Sequence, residues 1–117
     1  MSDKPLGNAD DLAGVIAYLA ATVDSRVGGD SKDSYTAKLL RKGALHCGKK
    51  IAEEGAELAL ALAAEGRSES ASEAADLIYH MLVGLRSKGV SLDQVAAALR
   101  KRQGISGLNE KAARSDF

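Results

Sequence analysis

Apolar residues recur along this chain at spacings of three and four, the period of a helix, and nowhere alternate over the length of a strand. Leu12, Val15, Ile16, Leu19 and Val23 form one stripe of a helix predicted over residues 9–24, with Asn8 as its N-cap. Residues 26–33, with two adjacent glycines, read as a loop. Ser34 caps the next segment, in which Tyr35, Leu39 and Leu40 open a new apolar face, and Gly43 and Gly48 mark a bend. A helix carrying Ile51, Leu58 and Leu62 then runs to residue 64, where Glu65, Gly66 and Arg67 stop it. Ser68 or Ser70 starts a further helix, striped by Leu77, Ile78, Met81 and Leu85, that ends near Lys88 and Gly89. Ser91 and Gln94 form a capping box opening a short helix in which Leu92, Val95, Ala96 and Leu99 pack inward. Arg100, Lys101 and Arg102 place positive charge at its favourable dipole end.

The pattern predicts an all-α fold, a small bundle of four to five helices in one domain spanning 1–117, with 103–117 an arm or a flexible tail. Some stripes are wide for 117 residues, so a homodimer is expected to complete the core and the site. Aromatic residues are only 3% of the chain, which further favours helix over sheet. Sixteen basic residues balance sixteen acidic ones, which signals no nucleic-acid face. The single cysteine, Cys47, excludes an intramolecular disulfide and a cysteine-rich zinc site, and fits a reducing cytosol. No stretch reads as a signal peptide or a membrane span, so a soluble cytoplasmic protein with no membrane partner is expected.

The chemistry concentrates in residues 49–80. Glu53, Glu54 and Glu57 fan over roughly 100° of one helix face, with Glu57 in the middle, and Glu73 and Asp76 lie roughly 60° apart on the next helix. If the two helices fold back on each other, five carboxylates converge. Such a cluster repels itself and is costly to desolvate unless a cation lies within it. Oxygen-only donors point to Mg²⁺ or Mn²⁺ rather than zinc, and so to a phosphate-handling metal site. The bland alternatives are a solvated face stitched by ion pairs from Lys49 to Glu53 and from Lys50 to Glu54, and a capping box between Ser70 and Glu73. Against them, both acidic groups border apolar stripes instead of lying opposite them.

The arrangement Glu53-Glu54-x-x-Glu57 followed by Glu73-x-x-Asp76 resembles the signature of the MazG-like all-α nucleoside triphosphate pyrophosphohydrolases. The segments SYTAKLLRKG, KKIAEEGAE, EAADLIYHMLV, GVSLDQV and SGLNEKAARS extend the likeness to the phosphoribosyl-ATP pyrophosphohydrolases of histidine biosynthesis, from about Arg26 onward. The resemblance implies Mg²⁺-dependent hydrolysis of phosphoribosyl-ATP at the α,β anhydride, giving phosphoribosyl-AMP and pyrophosphate. It implies that Glu54, Glu57, Glu73 and Asp76 ligate the metal and that Glu53 orients or deprotonates the attacking water.

Lys50 is then a candidate phosphate contact as well as an ion-pair partner, and His80, one turn beyond Asp76, either touches substrate, supports a ligand or packs. Arg26, Lys38, Arg41, Lys111 and Arg114 are candidate partners for the substrate's ribose 5-phosphate. His46 and Cys47 are adjacent, point about 100° apart on a helix, and read as surface and packing. The segment ALHCG before Lys49, and Gly55, depart from the family's usual residues without touching the acids, which bears on substrate identity. Two other readings share these features: a house-cleaning enzyme for non-standard nucleoside triphosphates, and a non-catalytic helical dimerisation module.

Overall fold

The computed structural model describes residues 5–104 and contains five helices: α1 (Asp10–Ser25), α2 (Tyr35–Lys42), α3 (Ala44–Ala64), α4 (Arg67–Lys88) and α5 (Leu92–Arg102). No strand occurs among the described residues, so the all-α expectation holds. The candidate residues Lys111 and Arg114, and the tail beyond Gly104, lie outside the described residues.

The helix ends follow local chemistry. Ser34 Oγ accepts the Ala37 N–H at 3.1 Å and starts α2. Ser91 Oγ accepts the Gln94 N–H while Gln94 Oε1 accepts the Ser91 N–H, a complete capping box for α5. Gly89, left-handed at φ 79°, closes α4, with Val90 N–H returning to the Leu85 carbonyl as in a Schellman motif. Two starts differ from expectation. Ala9 occupies the N-cap of α1, and Asn8 bonds one position early, its Oδ1 accepting from the Asp10 N–H. Helix α4 begins ahead of Ser68, at Arg67, where Glu69 accepts the Gly66 N–H and Ser70 Oγ donates to the Gly66 carbonyl.

The body of the fold is the α3–α4 hairpin, reversed in the two residues Glu65 and Gly66. Gly84 lets the two helices approach closely: a Cβ there would come within 2.9 Å of Ile51 Cδ1 and 3.5 Å of Cys47 Cβ. Val23 of α1, Leu39 of α2, Cys47 of α3 and Val83 of α4 meet in the core, with Leu40 and Tyr79 against them. Helix α2 crosses this hairpin, and Gly43 turns the chain from α2 into α3 at φ 89° and ψ 178°, a conformation open essentially to glycine alone. An ion pair from Arg86 Nε to Asp24 Oδ1 at 2.9 Å ties α1 to α4.

Only part of each stripe is covered. In α1, Val23 is buried but Val15 is 61% exposed, and in α3 Leu60 and Leu62 are 67% and 68% exposed. The inward packing expected of α5 is found at Val95 and Ala96, half-buried, but not at Leu92 or Leu99, because α5 barely touches the hairpin and buries no residue fully. Periodicity fixes which face of a helix is apolar; it does not supply the surface that covers it.

Gly43→Ala should cost about 1–3 kcal/mol in chemical denaturation, the usual penalty for a side chain in this backbone region. Gly14, mid-helix on the polar side of α1 with open space around its Cα, should behave oppositely: Gly14→Ala should stabilise by up to ~1 kcal/mol.

Candidate active site

The acids of α3 and α4 meet along the hairpin seam. Glu54 and Glu57 lie about one turn apart on α3, and Glu73 reaches them from α4, each offering an oxygen within 4.8 Å of the other two. Glu73 is available because α4 starts at Arg67, which puts Ser70 and Glu73 inside the helix and removes the capping-box alternative. Asp76 is exposed and stands outside this trio, although its charge still acts on Glu54 and Glu73.

The electrostatics are those of an uncompensated anion cluster. Glu54 Oε2 and Glu73 Oε2 are buried and have no hydrogen-bond partner. Burial is the main cause that raises the pKa of both groups above the ordinary carboxylate value. Glu57 raises both further, by its charge and by lying within hydrogen-bonding reach, which is attractive between two carboxyls only when a proton is shared. His80 acts on Glu54 in the opposite direction. Oxygen donors converging from two helices, with two of them orphaned, fit a hard divalent cation of the Mg²⁺ type.

Around the trio, the other expected residues fall into different places. Glu53 is exposed, and its Oε2 lies 3.2 Å from Lys50 Nζ, so the ion pair on this face joins Lys50 to Glu53, in place of the expected pairs from Lys49 to Glu53 and Lys50 to Glu54. The same bond is the first cause that raises the Lys50 pKa. His80 is 8% exposed and bonds the backbone instead of a carboxylate: its Nδ1 donates to the Asp76 carbonyl at 2.8 Å. In the neutral ring Nε2 is therefore an acceptor, and the Tyr35 hydroxyl stands 3.4 Å from it. Tyr35, Tyr79 and His80 pack their rings together, and Tyr79 is anchored by a 2.6 Å hydrogen bond with Thr36.

Arg41 is committed elsewhere, donating through Nε and Nη2 to the Gly29 carbonyl and so holding the loop between α1 and α2. Arg26 is the exposed C-cap of α1. Lys38 and Lys50 line a cavity of about 200 Å³ together with Tyr35, Leu39, Lys42 and His46. Lys42 and His46 were missed as site residues. Their signal is the run 38, 42, 46, 50 at i+4 intervals, masked because Gly43 interrupts the helix within it. Cys47, by contrast, packs as expected, buried with its Sγ 3.5 Å from the Leu39 carbonyl.

Comparison with known proteins places these residues in a family. Residues 16–103 match the sequence profile of the phosphoribosyl-ATP pyrophosphohydrolases. The chain is 51% identical to phosphoribosyl-ATP pyrophosphatase 1 of Rhodopseudomonas palustris over 96 residues, 82% of this chain and 90% of that protein. It is 53% identical to phosphoribosyl-ATP pyrophosphatase of a Caulobacter species over 100 residues, covering 86% and 92% of the two chains. It is also 48% identical, over 90% of its own length, to 46% of the histidine biosynthesis bifunctional protein HisIE of Wolinella succinogenes.

The raised carboxyl pKa values make a prediction whose sign is fixed. Groups that hold protons more tightly folded than unfolded stabilise the fold at low pH, and that contribution is lost as pH rises from about 4.3 through the raised native values. In metal-free thermal denaturation, Glu54→Gln should therefore raise the Tm at neutral pH and flatten this part of the pH dependence. Mg²⁺ should raise the Tm of the unaltered protein at neutral pH and have much less effect on the variant.

Proposed function

The chain belongs to the phosphoribosyl-ATP pyrophosphohydrolase family, and we propose that it hydrolyses phosphoribosyl-ATP at the α,β anhydride, yielding phosphoribosyl-AMP and pyrophosphate in histidine biosynthesis. The observation that carries this reading is the trio Glu54, Glu57 and Glu73, with two buried oxygens lacking any partner, inside the segment the family shares. A cation-binding carboxylate seam is what cleavage of a polyphosphate requires, and a dimerisation module has no use for its repulsion.

In this reading Glu54, Glu57 and Glu73 hold Mg²⁺, or Mn²⁺ in its place, and Asp76 completes the set from the next turn of α4. The bound ion supplies counter-charge for the pyrophosphate that leaves. Glu53, at the solvent edge of the same face, orients the attacking water and takes its proton, and Lys50 keeps Glu53 in place until substrate arrives. His80 positions the site without touching substrate: its bond to the Asp76 carbonyl fixes the ring that carries Tyr35.

The exposed apolar surfaces of α1 and α3, including Val15, Leu60 and Leu62, form the interface of a homodimer that enlarges a core of only seven buried apolar residues among those described. No described helix is long and apolar enough to cross a membrane, in keeping with action in the cytoplasm. Sedimentation equilibrium should return the mass of two chains, and a folded, non-associating single chain would contradict the dimer.

Pyrophosphate release from phosphoribosyl-ATP should require Mg²⁺ and be abolished by EDTA. Glu73→Gln should lower kcat/KM by at least ~100-fold, since even the outer partners of metal ligands commonly cost 10–100-fold. Release from other nucleoside triphosphates at equal or greater kcat/KM would overturn the substrate assignment and leave the metal chemistry standing.

A further inference from the structure

Beside the acidic seam lies a cavity of opposite character. Tyr35, Lys38, Leu39, Lys42, His46 and Lys50 line its volume of about 200 Å³. Three ammonium groups and an imidazole face it, and no carboxylate belongs to its wall. It adjoins the acids on two sides. Lys50 is its link to Glu53 on α3, and Tyr35 is its link to His80 on α4. Lys50 is paired with Glu53, but the wall itself gathers three lysines and a histidine with no carboxylate among them, a repulsive arrangement that an anion relieves.

A substrate with a triphosphate and a separate phosphomonoester presents two kinds of anion. The triphosphate travels with a metal ion and can face carboxylates through it. The monoester, near −2 at neutral pH, has no such shield and would be repelled by the acids. It needs point charges and N–H donors, the inventory of this cavity.

We propose that this cavity receives the ribose 5-phosphate of the substrate, with Lys42 and His46 as phosphate-holding residues alongside Lys38, while the triphosphate lies on the carboxylate seam. The proposal rests on the reading of the substrate as phosphoribosyl-ATP and adds where its second phosphate is held. His46 suits the role because its pKa is lowered in the ligand-free protein, first by partial burial and then by Lys42, Lys49 and Lys50 against the opposing charge of Glu53. A phosphate placed among the lysines reverses that effect and turns the ring into a further charged donor beside Lys38 and Lys42.

The test follows the imidazole of His46 by NMR in the full chain without metal. His46→Gln assigns its signals, since His80 is the only other histidine. Ribose 5-phosphate should shift His46 saturably toward its protonated form and raise its pKa. No response, or a response to pyrophosphate alone, would overturn the proposal, the second result marking a leaving-group site instead. Kinetically, Lys42→Ala and His46→Gln should each raise KM for phosphoribosyl-ATP by ~10-fold or more with kcat little changed, as expected for one lost charged hydrogen bond, and leave KM for ATP unaltered. Equal effects on both substrates would also overturn it. If the unaltered protein fails to hydrolyse phosphoribosyl-ATP while ribose 5-phosphate still titrates His46, the phosphomonoester site stands and the substrate reading falls.

Discussion

The structure turns on the close packing of α3 against α4, which forces Glu54, Glu57 and Glu73 together at a seam where two of their oxygens find no donor. Carboxylates left to themselves would rotate into water. These are held by the backbone of two long helices joined through two residues, with Gly84 allowing Ile51 and Cys47 to come near. Burial and mutual charge then favour the protonated forms, so the cluster stores a demand for positive charge that either protons or a divalent ion can meet. Within the proposed function, that demand binds the metal.

Much of this was readable beforehand because it rests on local rules. Ser34, Ser91 with Gln94, and Gly89 each satisfy a helix end through their own nearby backbone, so residue type and spacing were enough. The acidic trio was legible for a related reason: Glu54 and Glu57 share a helix face by spacing, and Glu73 joins them once the helices reverse at Glu65 and Gly66. What failed depended on neighbours far along the chain. Leu92 and Leu99 were expected inward, yet α5 has little to pack against, and Arg41 is spent on the Gly29 carbonyl, twelve positions away. His46 read as surface because its cavity forms only when α2 is set across α3 by the turn at Gly43.

The two charged features explain each other. Acids alone would repel a polyphosphate, and lysines alone would bind any anion indiscriminately. Within the proposed function the two lie side by side, joined by the pair between Lys50 and Glu53, and would divide the substrate into a metal-borne part and a metal-free part. The proposed phosphomonoester site would then disfavour nucleotides that lack the second phosphate, since it is lined for a charge they do not carry.

The most direct test is isothermal calorimetry of Mg²⁺ or Mn²⁺ binding, followed from acidic to neutral pH in buffers of different ionisation enthalpy. A seam that exchanges shared protons for a cation predicts saturable binding with net proton release, both strongly reduced in Glu57→Gln. Binding that releases no protons and survives Glu57→Gln, or no binding at all, would contradict the account.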